Sequence, residues 1–277
     1  MSRLIRVFPR KTKATPDDDL AIINRAPELF DYADEVHISV AFTYDLKRAE
    51  ELERVWRHVA PVKIGGPAVG DPGGEFEPGK YLKRGYVITS RGCPNRCWFC
   101  PVWRREGTEA RELSISDGWI VQDDNLLSCS RGHIESVFAM LKRSKRKYMQ
   151  RVQFTGGLEA ARLEPWHVDL LREVRPKQIF FAYDTPDDLE PLIEAGRMLL
   201  DAGWTTQGKQ LRCYVLCGYP GDTFDKAGAR MLEAVAAGFT PMAMIFRDKI
   251  GKRSIDWVRW SRQWARPALL GRAVSSG

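Results

Sequence analysis

Short apolar runs separated by amphipathic stretches set the rhythm of this chain. From residue 85 onward the runs fall at 86–89, 119–122, 152–155, 178–183, 211–216 and 241–246. Most gaps between them carry apolar residues at helical spacing, at 134–142, 164–172, 189–202 and 226–237, which predicts amphipathic helices. Six strands alternating with helices predict a parallel sheet buried on both faces. Six units fall short of the eight of a closed barrel, so the pattern predicts an open, partial (β/α)6 TIM-like barrel. In such arrays the chemistry gathers at the carboxyl ends of the strands.

Ahead of this array, 36–42 and 62–64 read as strands. Leu46, Ala49, Leu52, Val55 and Trp56 recur at helical spacing between them. Strand, helix, strand is a βαβ unit, so residues 1–84 are read as a small Rossmann-like region. Gly65-Gly66-Pro67 ends the second of these strands, and a loop rich in Gly, Pro and Asp at 68–79 marks the boundary. The α/β array occupies 85–247, and 248–277 form a basic, Trp-rich tail with helical spacing.

At 277 residues, 44% hydrophobic and 29% charged, the composition is that of an ordinary globular protein. No apolar run reaches the roughly 18–20 residues that cross a bilayer, so no membrane partner is expected. The first residues are too charged for a signal peptide. A cytoplasmic setting with reduced thiols follows as an expectation. The net charge of +7 points toward anionic partners.

Six cysteines are too few for a disulfide scaffold in a chain this long. Three of them, Cys93, Cys97 and Cys100, crowd into eight residues directly after the strand at 86–89. Thiolates select iron–sulfur clusters or zinc. A structural zinc site would need a fourth ligand, which Cys129 or His133 could supply, but zinc motifs pair C-x2-C knuckles and this spacing is C-x3-C-x2-C. Three thiolates on a cubane cluster leave one iron without a protein ligand, as an open catalytic metal site does.

This spacing, with the aromatic Phe99 before the last cysteine, resembles the signature of the radical S-adenosylmethionine superfamily. Thr89-Ser90-Arg91-Gly92-Cys93-Pro94 is similar to its cobalamin-dependent branch. Asp123-Asp124-Asn125 after the second strand, and Gly218-Tyr219-Pro220-Gly221-Asp222-Thr223 after the fifth, fit the same family, the latter with Asp where a G-x-P-G-E-T turn has Glu. The resemblance covers about residues 36–247. It implies a [4Fe-4S] cluster on Cys93, Cys97 and Cys100, whose open iron chelates the amino and carboxylate groups of S-adenosylmethionine. An external one-electron reductant of flavodoxin or ferredoxin type then drives cleavage to methionine and a 5′-deoxyadenosyl radical that abstracts a substrate hydrogen. The chain departs from the branch at its N-terminus. No D-x-H-x-x-G loop is present, and neither His37 nor His58 stands in one, so 1–84 are expected to be a shortened remnant that binds no cobalamin.

The resemblance assigns further expectations at the strand ends. Asp123 and Asp124 are candidates to accept hydrogen bonds from the cofactor's ammonium, although either also reads as a loop carboxylate or helix cap. Gly156 and Gly157 allow close approach of a ligand to backbone, as they would allow a tight turn. Asp184 is a candidate ribose contact and equally an ordinary helix start. Gly218 borders the adenine, and Arg247 faces cofactor or substrate. Cys129, Cys213 and Cys217 read as buried structural thiols.

Two basic features bear on the substrate. The run 142–151 holds Lys145, Arg146 and Lys147 and reads first as a solvated helix end. In the tail, Trp257, Trp260 and Trp264 share one helical face among Lys249, Lys252, Arg253, Arg259, Arg262 and Arg266. They form either a helix closing the barrel mouth or a surface where cations meet phosphates and rings stack on bases. Together these features favour a nucleotide or nucleic-acid substrate, with a peptide or small metabolite left open.

Overall fold

The computed structural model describes residues 3–248 and 251–264. Two parallel sheets, each with its own apolar core, carry the chain. In the first, β1 (Leu4–Phe8), β2 (Ala21–Ile23), β3 (Glu35–Ser39) and β4 (Val62–Gly65) lie in the order β2-β1-β3-β4. The helix α1 (Leu46–Trp56) covers one face, with Ala49, Leu52 and Trp56 buried. Ile5, Val7, Val36 and Ile38 fill the space between.

The strand β1 is absent from the apolar pattern because Arg3 and Arg6 interrupt it. Yet β1 is central. Its Arg6 is buried by pairing with Asp18 and donating to the carbonyls of Gly79 and Lys80 at 2.8 Å each, and a buried cation requires such partners.

The second sheet holds six parallel strands. These are β5 (Tyr86–Val87), β8 (Ile120–Val121), β9 (Gln153–Phe154), β10 (Gln178–Tyr183), β11 (Leu211–Cys217) and β12 (Thr240–Ile245), each beside the next in that order. Between β5 and β8 the chain forms β6 (Ser90–Arg91), the short helix α2 (Val102–Glu106) and β7 (Arg111–Glu112). The connecting helices α3 (Arg131–Tyr148), α4 (Pro165–Val174), α5 (Leu189–Asp201) and α6 (Phe224–Ala236) fall on the predicted stretches, with ends within two residues except for α3, which runs three residues earlier and six later. Caps set their starts: Ser130 accepts from His133 N at 3.3 Å, and Thr223 from Lys226 N at 3.2 Å, satisfying otherwise orphaned helix N–H groups. On α3, Ile134, Val137, Phe138 and Leu141 are buried, a stripe at helical spacing. Cys213 and Cys217 are buried in β11, as read from its alternation.

The final helix, α7 (Ile255–Trp264), turns its tryptophans inward. Trp260 is buried and packs against Trp257, Trp264 and Phe224, with ring centroids 5.3, 5.8 and 6.0 Å away. Trp257 and Trp264 join the same core. Of the two readings of the tail, the rings form the closing helix and are not displayed for stacking on bases. Lys249 and Arg266 lie outside the described residues. No helix among the described residues is long and apolar enough to cross a membrane.

Candidate functional site

The cysteine loop leaves the carboxyl end of β5 and is tied at its base. β6 and β7 pair antiparallel, Ser90 with Glu112 and Arg91 with Arg111, which closes residues 92–110 into one loop. Cys93 N donates to Gly107 O at 3.3 Å, Cys100 N to Cys97 O at 3.1 Å, and Trp103 Nε1 to Cys97 O at 3.0 Å. Gly92 is required there, since it has φ +91 and a Cβ would stand 2.2 Å from Glu109 O. The anchor is Glu106, whose side chain is 1% exposed. Its carboxylate accepts from Arg105 at 2.8 Å, Arg111 at 3.1 Å and Gly73 N at 3.0 Å. Sequence patterning gave no sign of this role, because Glu106 sits among arginines in a polar stretch that reads as surface.

The three thiols share one electrostatic neighbourhood. Burial pushes Cys97 up to about 11, and Cys100 and Cys93 add to the shift, followed by Asp184 and Asp188. Cys100 is raised chiefly by burial, with Cys93, Asp124 and Asp184 contributing. Cation binding is what would offset thiolate charge in such a place. Among the described residues no three His, Cys, Asp or Glu side chains converge on a single ion. A mononuclear zinc site asks for such convergence, whereas a cubane gives each thiol a separate iron. Of the two residues that could give zinc a fourth ligand, Cys129 bonds with the Ser90 side chain, whereas the buried His133 lies 3.7 Å from Glu112 through Nδ1 and its Nε2 has no partner.

Around the thiols the expected residues sort into two groups. Asp124 accepts from Gly92 N at 2.9 Å and lies close enough to Cys100 to raise it. Asp184, at the end of β10, is pushed up to about 7, first by burial and then by Asp188. The Asp188 carboxylate itself accepts from Asp184 N, Thr185 N and Thr185 Oγ1 at 2.7–3.0 Å. Gly157 has φ +92 with nothing within 4 Å of a built Cβ, so it lies open on the mouth. Phe99 packs edge-on against Trp98 at 5.4 Å, and Trp98 also meets Tyr219 at 5.8 Å and Phe246 at 5.7 Å. These rings join the cysteine loop to the ends of β11 and β12.

The second group is occupied differently from the expectation. Asp123, proposed as an ammonium contact, is 2% exposed. It accepts from Thr89 N at 2.7 Å, Thr89 Oγ1 at 2.5 Å and Ser90 Oγ at 2.8 Å. It therefore pins β5 to β8 beneath the loop. Gly156 serves packing: a Cβ would stand 2.2 Å from Asp123 O. Gly218 is covered by Trp257, whose ring atoms begin 2.7 Å from a built Cβ, and its N–H donates to Asp222 at 2.7 Å. Asp222, fully buried, also pairs with Arg230 at 2.8 Å. The Arg247 guanidinium lies 4.5 Å above the Tyr44 ring and donates to Gly251 O at 3.0 Å.

Asn125 proves closer to the thiols than Asp123, the residue two positions before it. Its Nδ2 lies 3.5 Å from Cys93 Sγ and donates to Glu159 at 2.6 Å, while its buried Oδ1 has no partner. The sequence run flagged the segment, but Asp123 and Asn125, two residues apart, are not told apart by strand alternation.

A cavity of about 590 Å³ lies at the carboxyl ends of β1, β3 and β4, bounded across by Gly73, Gly74, Arg91 and Glu106 next to the cysteine loop. Its volume suits a small molecule. Arg10 pairs with Asp45 at 2.8 Å and Lys63 with Glu35, whereas the lining carboxylates Asp71 and Glu75 accept from the backbone N–H groups of Gly66 and Ser114. His37 at its floor is bonded to the Tyr81 hydroxyl, and the loop after β1, residues 9–15, holds no histidine.

No protein-family model matches the chain, and no curated protein matches it.

Proposed function

We propose that this protein is a radical S-adenosylmethionine enzyme built on a partial (β/α)6 barrel. The observation that carries this reading is the tied loop of three thiols, spaced C-x3-C-x2-C, at the carboxyl end of the parallel sheet, with Asp124 and Asp184 beside them. In this reading Cys93, Cys97 and Cys100 hold a [4Fe-4S] cluster. When bound, the cluster and S-adenosylmethionine supply the one-electron chemistry that ends in hydrogen abstraction. The chain's part is to bind, orient and exclude water. Asp124 and Asp184 offer acceptors for an ammonium or for ribose hydroxyls, and Gly157 leaves room for close approach. Trp98, Phe99, Tyr219 and Phe246 pack as a group of rings beside the loop. Asn125 presents an N–H to Cys93, the kind of hydrogen bond that tunes cluster potential.

The electron comes from a flavodoxin- or ferredoxin-type donor in this reading, and the substrate is a nucleotide or a nucleic-acid base. The 590 Å³ cavity beside the loop has room for a base. The test is metal analysis of anaerobically purified protein. About four irons and four sulfides per chain are expected, lost in C93A/C97A/C100A. One zinc without labile sulfide would overturn the proposal.

A further inference from the structure

The opposite end of the six-stranded sheet carries a feature that the mouth chemistry does not use. In a parallel α/β array the helix carboxyl ends lie at the amino ends of the strands. There, the ends of α3, α4 and α5 frame a groove of about 1180 Å³, lined by Lys145, Arg151, Arg172, Arg175, Trp204 and Gln210. Two carboxylates, Asp169 and Glu173, share the lining, but neither neutralises it. Asp169 reaches Arg172 only at 3.8 Å, and Glu173 is paired with Lys142.

Cations near helix carboxyl ends have an ordinary role in satisfying terminal carbonyls. Lys145 plays that role, donating to Val174 O at 2.8 Å. Arg151 and Arg175 do not: among the described residues, neither guanidinium has a carboxylate or carbonyl partner. Their exposure leaves two planar forks, the group that matches phosphate oxygens two at a time, facing one concavity.

The backbone at Arg175 sharpens the point. Helices commonly end on a glycine in the left-handed region, because any other L-residue there costs conformational energy. The helices α5 and α6 do so, turning on Gly203 and Gly238 at φ +93 and +92. The helices α3 and α4 instead end on Met149 and Arg175, at φ +52 and +47. At Arg175 the side chain so placed is an unpaired cation in the groove. Half-buried Trp204 adds a ring to the wall.

We propose that this groove is a docking site for the phosphodiester backbone of a nucleic acid. Arginine forks, low carboxylate compensation and a ring in the wall fit a polyanion with bases. The site lies at the end of the sheet away from the cysteine loop, so it holds the polymer and does not present the reacting atom. It stands independently of the cluster, and its test does not use S-adenosylmethionine.

The experiment is a salt titration of the full chain against short single-stranded and duplex oligonucleotides. Wild type is expected to bind, and R151Q/R172Q/R175Q to lose about a hundredfold in affinity near 0.1 M salt. The slope of log affinity against log salt should flatten by about 0.7–0.9 per cation removed. R259Q/R262Q, on α7, should leave both unchanged. R175G separates docking from helix termination. Glycine relieves the left-handed strain, so Tm should hold or rise while affinity falls about fivefold. Absence of binding by wild type at low salt, an unchanged slope in the triple variant, or equal affinity of R175G and wild type would each overturn the proposal. A loss centred on R259Q/R262Q would move the site to α7 and overturn it as well.

Discussion

Asp184 offers the sharpest energetic test of the mouth. In the cluster-free protein its carboxyl holds a proton up to about pH 7, because burial and the fixed Asp188 anion disfavour its charge. In the unfolded chain it releases that proton near pH 4. Between these values the folded state binds a proton that the unfolded state does not, so stability must fall as pH rises from about 4 to 7 and level off above. Three pH units correspond to about 4 kcal/mol at most; the solvent-facing side of the mouth screens this to about 2 kcal/mol. Asp184→Asn keeps an acceptor for the backbone N–H of Leu216 and removes the titration. Urea unfolding of cluster-free wild type and D184N, followed by tryptophan fluorescence, should show near-equal stability at pH 4. At pH 8 the variant should be about 2 kcal/mol more stable. Parallel pH dependence, or a variant less stable at pH 8, would refute the argument and mean that the charged carboxylate is satisfied within the fold.

Other expectations follow from the same geometry. Cys97 in cluster-free protein should alkylate about a hundredfold more slowly at pH 8 than in the unfolded chain, since a thiol moved from its ordinary 9.0 to about 11 has about a hundredth of the thiolate; mass spectrometry of the Cys97 peptide reads the rate, and equal rates would contradict the burial. Gly218→Ala meets both a left-handed backbone and the Trp257 ring and should cost about 2–4 kcal/mol, whereas Gly157→Ala, with open space around it, should cost about 1 kcal/mol. Equal losses of Tm in the two would show that Trp257 gives way. Arg247→Gln should leave S-adenosylmethionine affinity unchanged, because its guanidinium rests on Tyr44; a tenfold weakening would place it at the mouth.

Periodicity made the order and rough position of the six-stranded array legible, because strands buried on both faces and helices with one apolar stripe leave strong, distinct patterns. β1 was hidden because its burial includes Arg6, whose partners Asp18, Gly79 and Lys80 are distant in sequence. The loop chemistry was visible in the cysteine spacing, but the roles of the carboxylates were not. Asp123 and Asp124 are equivalent as letters, and only the pleat of the strand end sends one beneath the loop and the other toward Cys100. The tail tryptophans carried a true helical spacing, which fixes that they share a face and says nothing about whether that face meets protein or solvent. Glu106 was illegible for a related reason: its partners Arg91, Arg105, Arg111 and Gly73 gather only when β6 and β7 pair.

The central claim is that the three-cysteine loop makes this chain a radical S-adenosylmethionine enzyme. Its most direct test is reductive cleavage of S-adenosylmethionine by the anaerobically reconstituted protein with a one-electron reductant. Formation of 5′-deoxyadenosine and methionine by wild type, abolished in C93A/C97A/C100A, is the predicted result. A fully iron-loaded wild type that yields no 5′-deoxyadenosine, or a triple variant that still forms it, would contradict the account.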